Sequence, residues 1–251
     1  MDIEVLEGVF DANEIIAKEN RALLDERNAF MMNLMASPGA GKTSFIMKTL
    51  EGIASFPPPR GGRIKEGVTL TSPLRGEDQG GGDTSAKGIK AAVIEGDIAG
   101  KVDSERIAAM GIQAIQINTG GSCHLEAKQV NTALKHMDLE GIELIIVENV
   151  GNLVCPAEFK LGEDLKVMIL SVAEGDDKPL KYPLMFSESH VLIVNKIDLI
   201  PHTDLDMGRL EETVRKMNPS VELFKVSCRT GEGLDGWTTW LEGRVRNGRQ
   251  S

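Results

Sequence analysis

The sequence predicts an α/β fold with three α/β/α layers, in which helices cover both faces of a mainly parallel sheet of about seven strands. Apolar runs typical of strands recur along the chain, and helical patterns separate several of them. Strands that alternate with helices pair in parallel, because each crossover returns the chain to the same end of the sheet. The strand runs are residues 30–35, 91–95, 113–117, 143–148, 166–172, 190–195 and 221–226.

The helical patterns account for the two outer layers. Asp11 and Glu14 have the spacing of a capping box, which predicts a short first helix over residues 11–28. The other helical patterns are residues 43–50, 103–110, 122–136, 206–217 and 233–245. In such folds the ligand-binding loops gather beyond the carboxyl ends of the strands.

The turn after the first strand has the spacing of a phosphate-binding P-loop, Ala36-Ser37-Pro38-Gly39-Ala40-Gly41-Lys42-Thr43. A strand before it and a helix after it supply the context that this motif requires, so the fold is predicted to be a P-loop NTPase. Lys42 would neutralise phosphate oxygens, and the Thr43 hydroxyl would bind Mg²⁺. A plain glycine-rich turn is the alternative, and it leaves both of these residue types unexplained. The backbone N–H groups expected to face a triphosphate are those of Gly39, Ala40, Gly41, Lys42, Thr43 and Ser44.

Composition limits the classes of function. The 251 residues carry 38 acidic and 28 basic side chains, and the net charge of −10 argues against a general nucleic-acid surface. No apolar run approaches the length of about 20 residues that a membrane span needs. The acidic N-terminus lacks a signal-peptide pattern, and three cysteines are too few for a disulfide framework. We therefore expect a cytoplasmic protein with no membrane partner and with reduced cysteines.

The length suits a single nucleotide-binding domain spanning residues 1–251, with residues 1–29 as an N-terminal helical extension. Residues 57–84 interrupt the pattern with Pro57-Pro58-Pro59 and Gly80-Gly81-Gly82 and contain few large apolar side chains. This composition predicts a flexible surface insertion, and a functional clamp is the alternative.

Two motifs indicate which nucleotide binds. Asn195-Lys196-Ile197-Asp198 follows an apolar strand, and the Asp198 carboxylate can accept two hydrogen bonds from guanine, whereas adenine offers the wrong donors. Asn195 would steady the loop, and the Lys196 stem would lie along the base. Ser227 and Cys228 open a loop of the kind whose backbone contacts the guanine carbonyl. The motifs predict GTP rather than ATP, which disfavours an unrelated P-loop kinase.

Acidic residues end two further strands near the predicted triphosphate. Glu148 would hold Mg²⁺, and the Gly151 amide would sense the γ-phosphate. Asp97 follows another strand as a second candidate for Mg²⁺ or water, and a turn cap is its alternative role. Asn152 stands after Gly151 where a glutamine would orient the attacking water, so we expect slow hydrolysis of GTP to GDP. The predicted catalytic set is Lys42, Thr43, Asp97 and Glu148.

Two cysteines and a histidine form a candidate second site. Cys123 and His124 lie at the predicted start of the 122–136 helix, and Cys155 follows Glu148 by seven residues. A helix N-terminus lowers the pKa of a thiol and favours a thiolate ligand. Two thiolates and an imidazole suit Zn²⁺ or Ni²⁺. A buried free cysteine with a helix-capping histidine is the alternative interpretation.

Taken together, these motifs resemble those of HypB, the hydrogenase-maturation nickel-insertion GTPase family of the SIMIBI class. The resemblance covers nearly the whole chain outside the insertion, and the matching stretches are 36–43, 96–99, 123–127, 148–156 and 195–198. It implies that Cys123, His124 and Cys155 bind nickel or zinc at a dimer interface. It also implies a homodimer formed on GTP or metal binding, a HypA-type metallochaperone partner, and nickel transfer to the hydrogenase large subunit.

Two rival functions share parts of this pattern. A related nickel GTPase for urease would be expected to carry Cys-Pro-His, whereas Cys123 and His124 are adjacent here. A metal-binding buffer with negligible hydrolysis would share the same metal ligands, and single-turnover hydrolysis distinguishes it from an enzyme.

Overall fold

The centre of the computed structural model is a seven-stranded sheet in which every pair of neighbouring strands is parallel. The structure describes residues 3–53, 88–96, 107 and 109–248, with side chains of the first helix from residue 12. The strand order is β3-β2-β4-β1-β5-β6-β7. The strands are β1 (Phe30–Ala36), β2 (Ala91–Glu95), β3 (Gln113–Gln116), β4 (Leu144–Glu148), β5 (Leu165–Ser171), β6 (Val191–Asn195) and β7 (Glu222–Lys225). The predicted parallel sheet is confirmed, and each predicted strand is present within two residues of its expected bounds.

Helices flank the sheet in the order α1 (Ile3–Glu26), α2 (Lys42–Ile53), α3 (Ala127–His136), α4 (Cys155–Glu158), α5 (Lys178–Lys181), α6 (Pro183–Glu188), α7 (Met207–Met217) and α8 (Leu234–Asn247). Short 3₁₀ turns cover Val172–Glu174 and Ile197–His202. The predicted insertion at 57–84 lies outside the described residues, as does most of the predicted 103–110 helix.

Two predicted helix starts are wrong. Helix α1 begins at Ile3, so Asp11 lies inside the helix instead of capping it. Helix α3 begins at Ala127 with Glu126 as its N-cap, five residues after the predicted start at Ser122. The Gln129 side chain accepts a hydrogen bond of 2.9 Å from the Glu126 backbone N–H, which holds the N-terminus of α3 at that point.

The side chains of the strands alternate between two apolar layers. Phe30, Met32 and Leu34 of β1 face α2 and α8, where Phe45 and Trp237 are buried. Met31 faces the opposite layer. There α1 and α3 cover β2 and β4, while α4, α6 and α7 cover β5 and β6. Burial on both faces confirms the predicted three-layer α/β/α architecture. None of the described helices is long and apolar enough to cross a membrane.

Candidate functional site

The P-loop connects the carboxyl end of β1 to the first residue of α2. Gly39 and Gly41 adopt positive φ values of 77° and 99° there, a backbone region that strongly favours glycine. A Cβ on Gly41 would lie 2.7 Å from Asn195 Nδ2, so a side chain cannot be placed at this position without a shift. Lys42 is buried at the first position of α2. The local geometry is therefore that of a loop which presents backbone and a lysine at a helix N-terminus.

A hydroxyl and a carboxylate meet beside this loop. The Thr43 hydroxyl donates to Glu148, with Oγ1 lying 3.2 Å from Oε1 and 3.5 Å from Oε2. Glu148 is the buried last residue of β4, so this contact joins the end of β4 to the P-loop. Oxygen ligands of these two kinds suit Mg²⁺, the hard cation that accompanies nucleoside triphosphates. Asp97, the other predicted magnesium ligand, lies outside the described residues.

Glu95 is a second acidic residue at the carboxyl ends of the strands, and it was not predicted from the sequence as a site residue. It is paired with Glu148 in the register between β2 and β4, and it is buried. Ala91 and Val93 of the same strand face α2, and residues two apart on a strand share a face, so Glu95 points toward the P-loop layer. The available signal was that an apolar strand ends in Glu95 just as another ends in Glu148.

The guanine-binding motif contacts the P-loop backbone directly. Asn195 Nδ2 donates to the Ala40 carbonyl at 3.0 Å, and Lys196 Nζ donates to the Gly39 carbonyl at 2.8 Å. Lys196 takes a left-handed φ of 63°, which turns the chain sharply after β6. Tertiary structure thus brings together two motifs that are more than 150 residues apart in the sequence.

Asp198 is held by two groups of the loop after β7. Ser227 Oγ donates to its Oδ1 at 2.5 Å, and Arg229 Nε donates to its Oδ2 at 2.9 Å. These interactions, the Ser227 hydrogen bond first, hold the pKa of Asp198 below its ordinary value, so the carboxylate is ionised at neutral pH. The Cys228 backbone N–H lies 3.4 Å from Asn195 Oδ1. Burial raises the pKa of the Cys228 thiol to about 11, as expected for a small packed side chain.

The predicted metal ligands are brought together by the fold. The Sγ atoms of Cys123 and Cys155 lie 3.1 Å apart, and Cys123 Sγ lies 3.4 Å from His124 Nδ1. One ligand atom from each of the three residues falls within 4.8 Å of the others. His124 Nε2 is buried without a hydrogen-bond partner among the described residues, and the imidazole stacks on Phe159 with ring centroids 4.0 Å apart.

The electrostatics of this Cys123–His124–Cys155 cluster differ from the prediction. Because α3 begins only at Ala127, neither Cys123 nor His124 lies at its N-terminus. The pKa of Cys155 is raised, first by its hydrogen bond with Cys123 and then by burial. Burial lowers the pKa of His124, although Glu126 and Glu158 oppose this effect. A neutral imidazole is the form that binds a metal, so burial prepares His124 for this role.

Residues 148–155 connect the two sites along the chain. Gly151 packs on the P-loop, and a Cβ there would lie 3.1 Å from Pro38 Cγ and 3.2 Å from its Cα. Asn152 Nδ2, one residue later, donates to the Cys123 carbonyl at 3.2 Å. The Leu125 backbone N–H donates to Asn149 Oδ1 at 3.0 Å, which ties the other ligand loop to the same segment. A few short contacts therefore connect the P-loop with the loops that carry both cysteines.

Helix α1 supports the loops that carry the predicted metal ligands. Asn20 Nδ2 donates to the carbonyls of Ala127 and Leu161 at 2.9 and 2.8 Å. Asn13 accepts from the Ala127 N–H at 2.9 Å and donates to the Lys160 carbonyl at 2.8 Å. Ala127 follows His124 by three residues, and Lys160 follows Cys155 by five. The N-terminal helix therefore fixes the spacing between the two loops.

The chain is similar to proteins of one family both in sequence and in structure. A family model described as CobW/HypB/UreG, nucleotide-binding domain, matches residues 84–225. The hydrogenase maturation factor HypB of Azotobacter vinelandii is 43% identical over 241 residues, which cover 96% of this chain and 69% of that protein. The crystal structure of HypB from Helicobacter pylori in complex with nickel has 30% identity and a TM-score of 0.77, covering 96% of this chain and 98% of that one. The crystal structure of HypB from Archaeoglobus fulgidus has 30% identity and a TM-score of 0.75, covering 94% and 99%.

Proposed function

Since the chain belongs to the HypB family of hydrogenase maturation GTPases, we propose that GTP hydrolysis at its P-loop drives nickel delivery from the Cys123–His124–Cys155 cluster. The observation that carries this proposal is the shared 148–155 segment, which contacts the P-loop at Pro38 and Cys123 through Asn152. Ordering of this segment by a γ-phosphate would change the geometry of the thiolates.

The residues of the nucleotide site fall into three groups, which would bind the phosphates, the guanine base and Mg²⁺. The backbone N–H groups of 39–44 and the Lys42 ammonium bind the phosphates, with the Gly151 amide near the γ-phosphate. Asp198 reads guanine with help from Asn195 and Lys196, and the Ser227–Cys228 backbone flanks the base. Thr43 and Glu148 fit Mg²⁺, which when bound screens the charge on the β- and γ-phosphates. We assign Asp97 to the same magnesium shell as the second acidic ligand.

The Cys123–His124–Cys155 cluster would bind nickel as cargo, and its donor set also suits zinc. Two sulfur donors and one imidazole satisfy soft divalent metals of either kind. Three protein ligands leave a coordination position for a group from a second subunit. Val154, which is 54% exposed beside Cys155, supports an apolar contact at that surface. We therefore include GTP- or metal-dependent homodimerisation in the proposal.

The remaining parts of the proposal concern partners. Nickel would be received from a HypA-type metallochaperone and passed to the hydrogenase large subunit in the cytoplasm. The exposed position of Cys123 supports transfer to another protein, because a ligand at the surface can be exchanged.

The experiment compares nickel affinity and oligomer mass in the presence of GDP and of a non-hydrolysable GTP analogue. We expect the two nucleotides to give different nickel affinities and a larger mass with the analogue. Lys42→Ala, which removes the phosphate-binding ammonium, is the control and should abolish both differences. Equal affinities and equal masses contradict the coupling. Single-turnover GTP hydrolysis on the same samples distinguishes a GTPase from a metal buffer.

A further inference from the structure

Two sulfur atoms of the Cys123–His124–Cys155 cluster lie close enough to be joined in a disulfide after a small movement. Cys123 Sγ and Cys155 Sγ are 3.1 Å apart. A disulfide bond is about 2.05 Å long, so the sulfurs need to approach by about 1 Å to form one.

The loop that carries Cys123 has room for this approach. Gly120 and Gly121 precede it with φ values of 62° and 90°, and a Cβ on either would meet no atom within 4 Å. Cys123 is exposed, whereas Cys155 is half-buried at the first residue of α4. Cys123 is therefore the sulfur that an external reagent reaches first, and Cys155 is placed directly behind it.

The third cysteine provides an internal comparison. Cys228 lies in the loop after β7, where Asn195 contacts its backbone. Burial is the main cause of the raised pKa of its thiol. It belongs to neither loop of the metal cluster. Pairing with a second sulfur thus separates Cys123 and Cys155 from Cys228, which is half-buried like Cys155.

We propose that Cys123 and Cys155 form a reversible disulfide by exchange with a low-molecular-weight disulfide such as glutathione disulfide, and that this bond closes the metal site. In the first step, the Cys123 thiolate attacks one sulfur of glutathione disulfide, the glutathione S–S bond breaks, and one glutathione thiolate leaves and takes up a proton. In the second step, Cys155 gives up its proton and attacks Cys123 Sγ, which releases the second glutathione as a thiol. Two protein thiols are oxidised, and one glutathione disulfide is reduced to two glutathione molecules.

The consequence for the metal rests on the proposed function. A metal site of this type needs thiolates, and neither sulfur of a disulfide is one. Oxidation removes two of the three ligands and leaves His124 alone. Bound metal should in turn slow the exchange, because both sulfurs are then held on the ion.

The test equilibrates the metal-free full-length protein with glutathione buffers of increasing oxidised fraction and then counts free thiols after denaturation. We expect the count to fall from three to one, with peptide mapping showing a Cys123–Cys155 link that excess reduced glutathione reverses. The matched control is Cys228→Ala, which should fall from two thiols to none through the same link. In Cys155→Ser, Cys123 should instead accumulate a mixed disulfide with glutathione.

Nickel binding is measured on the reduced and oxidised forms of the same preparation. Loss of at least about 100-fold in affinity on oxidation, restored by reduction, supports the proposal. A thiol count that stays at three, a link that involves Cys228, or unchanged affinity of a fully linked protein overturns it. A reduced protein that binds no nickel contradicts the proposed function instead, and the thiol count remains an independent test of the disulfide.

Discussion

Replacement of Asn20 tests whether helix α1 positions the metal loops. Its side chain is fully buried and makes three hydrogen bonds, to the carbonyls of Ala127 and Leu161 and from Asn131 Nδ2 at 2.7 Å. A buried hydrogen bond contributes about 1 kcal/mol net, so Asn20→Ala should lower the free energy of unfolding by about 2–4 kcal/mol. The same change frees the residues that follow His124 and Cys155, so the nickel affinity should fall about tenfold.

The assay combines urea unfolding followed by circular dichroism with titrations of nickel and GDP. Asn131→Ala is the matched control, because it removes only the outermost of the three hydrogen bonds and should cost about 1 kcal/mol or less. GDP affinity should be unchanged in both variants, since α1 makes none of the contacts described for the guanine or phosphate residues. An Asn20→Ala protein that is destabilised as expected but binds nickel normally would refute the positioning role. A loss below about 0.5 kcal/mol would refute the energetic argument.

Three further predictions concern other groups. Asp198→Asn should weaken GDP binding at least about 100-fold and improve binding of xanthosine diphosphate, because the amide offers a donor where guanine needs an acceptor; an unchanged preference for GDP would contradict this role. Glu148→Gln should reduce single-turnover GTP hydrolysis about 100-fold or more by weakening the magnesium shell, and wild-type rates at both limiting and saturating Mg²⁺ would exclude that assignment. The Arg209 hydrogen bond holds the pKa of Asp176 below its ordinary value of 3.8. This ion pair therefore stabilises the fold above that pH and is lost on acidification, so Asp176→Asn should lower the urea midpoint at pH 7, and the difference from the wild type should shrink as the pH falls below 3.8.

Much of the nucleotide site was predictable from the sequence because its determinants are local. Gly39, Gly41 and Lys42 specify a phosphate loop through backbone freedom and charge at fixed spacing. Asn195 and Asp198 follow an apolar strand, and parallel strands bring their carboxyl ends to one edge. The same reasoning selected three candidate metal ligands that the fold brings together, although it did not detect Glu95 or the Arg229 contact with Asp198.

The start of α3 was not predicted, because a group from a distant loop takes part in deciding it. The Leu125 N–H is bound by Asn149 of another loop, and the Gln129 side chain takes the Glu126 N–H, so the helix begins after these residues instead of at Ser122. The raised pKa of Cys155 likewise follows first from a sulfur 32 residues away in the sequence.

By itself, the sequence determined the parallel sheet, the phosphate loop, the guanine motif and the three candidate metal ligands, because apolar periodicity and motif spacing are properties of short segments. Only the tertiary structure decided that Cys123 meets Cys155, that Gly151 packs on Pro38 and that α1 holds both ligand loops. These contacts depend on which strands become neighbours in the sheet, and that order arises from the packing of the whole chain.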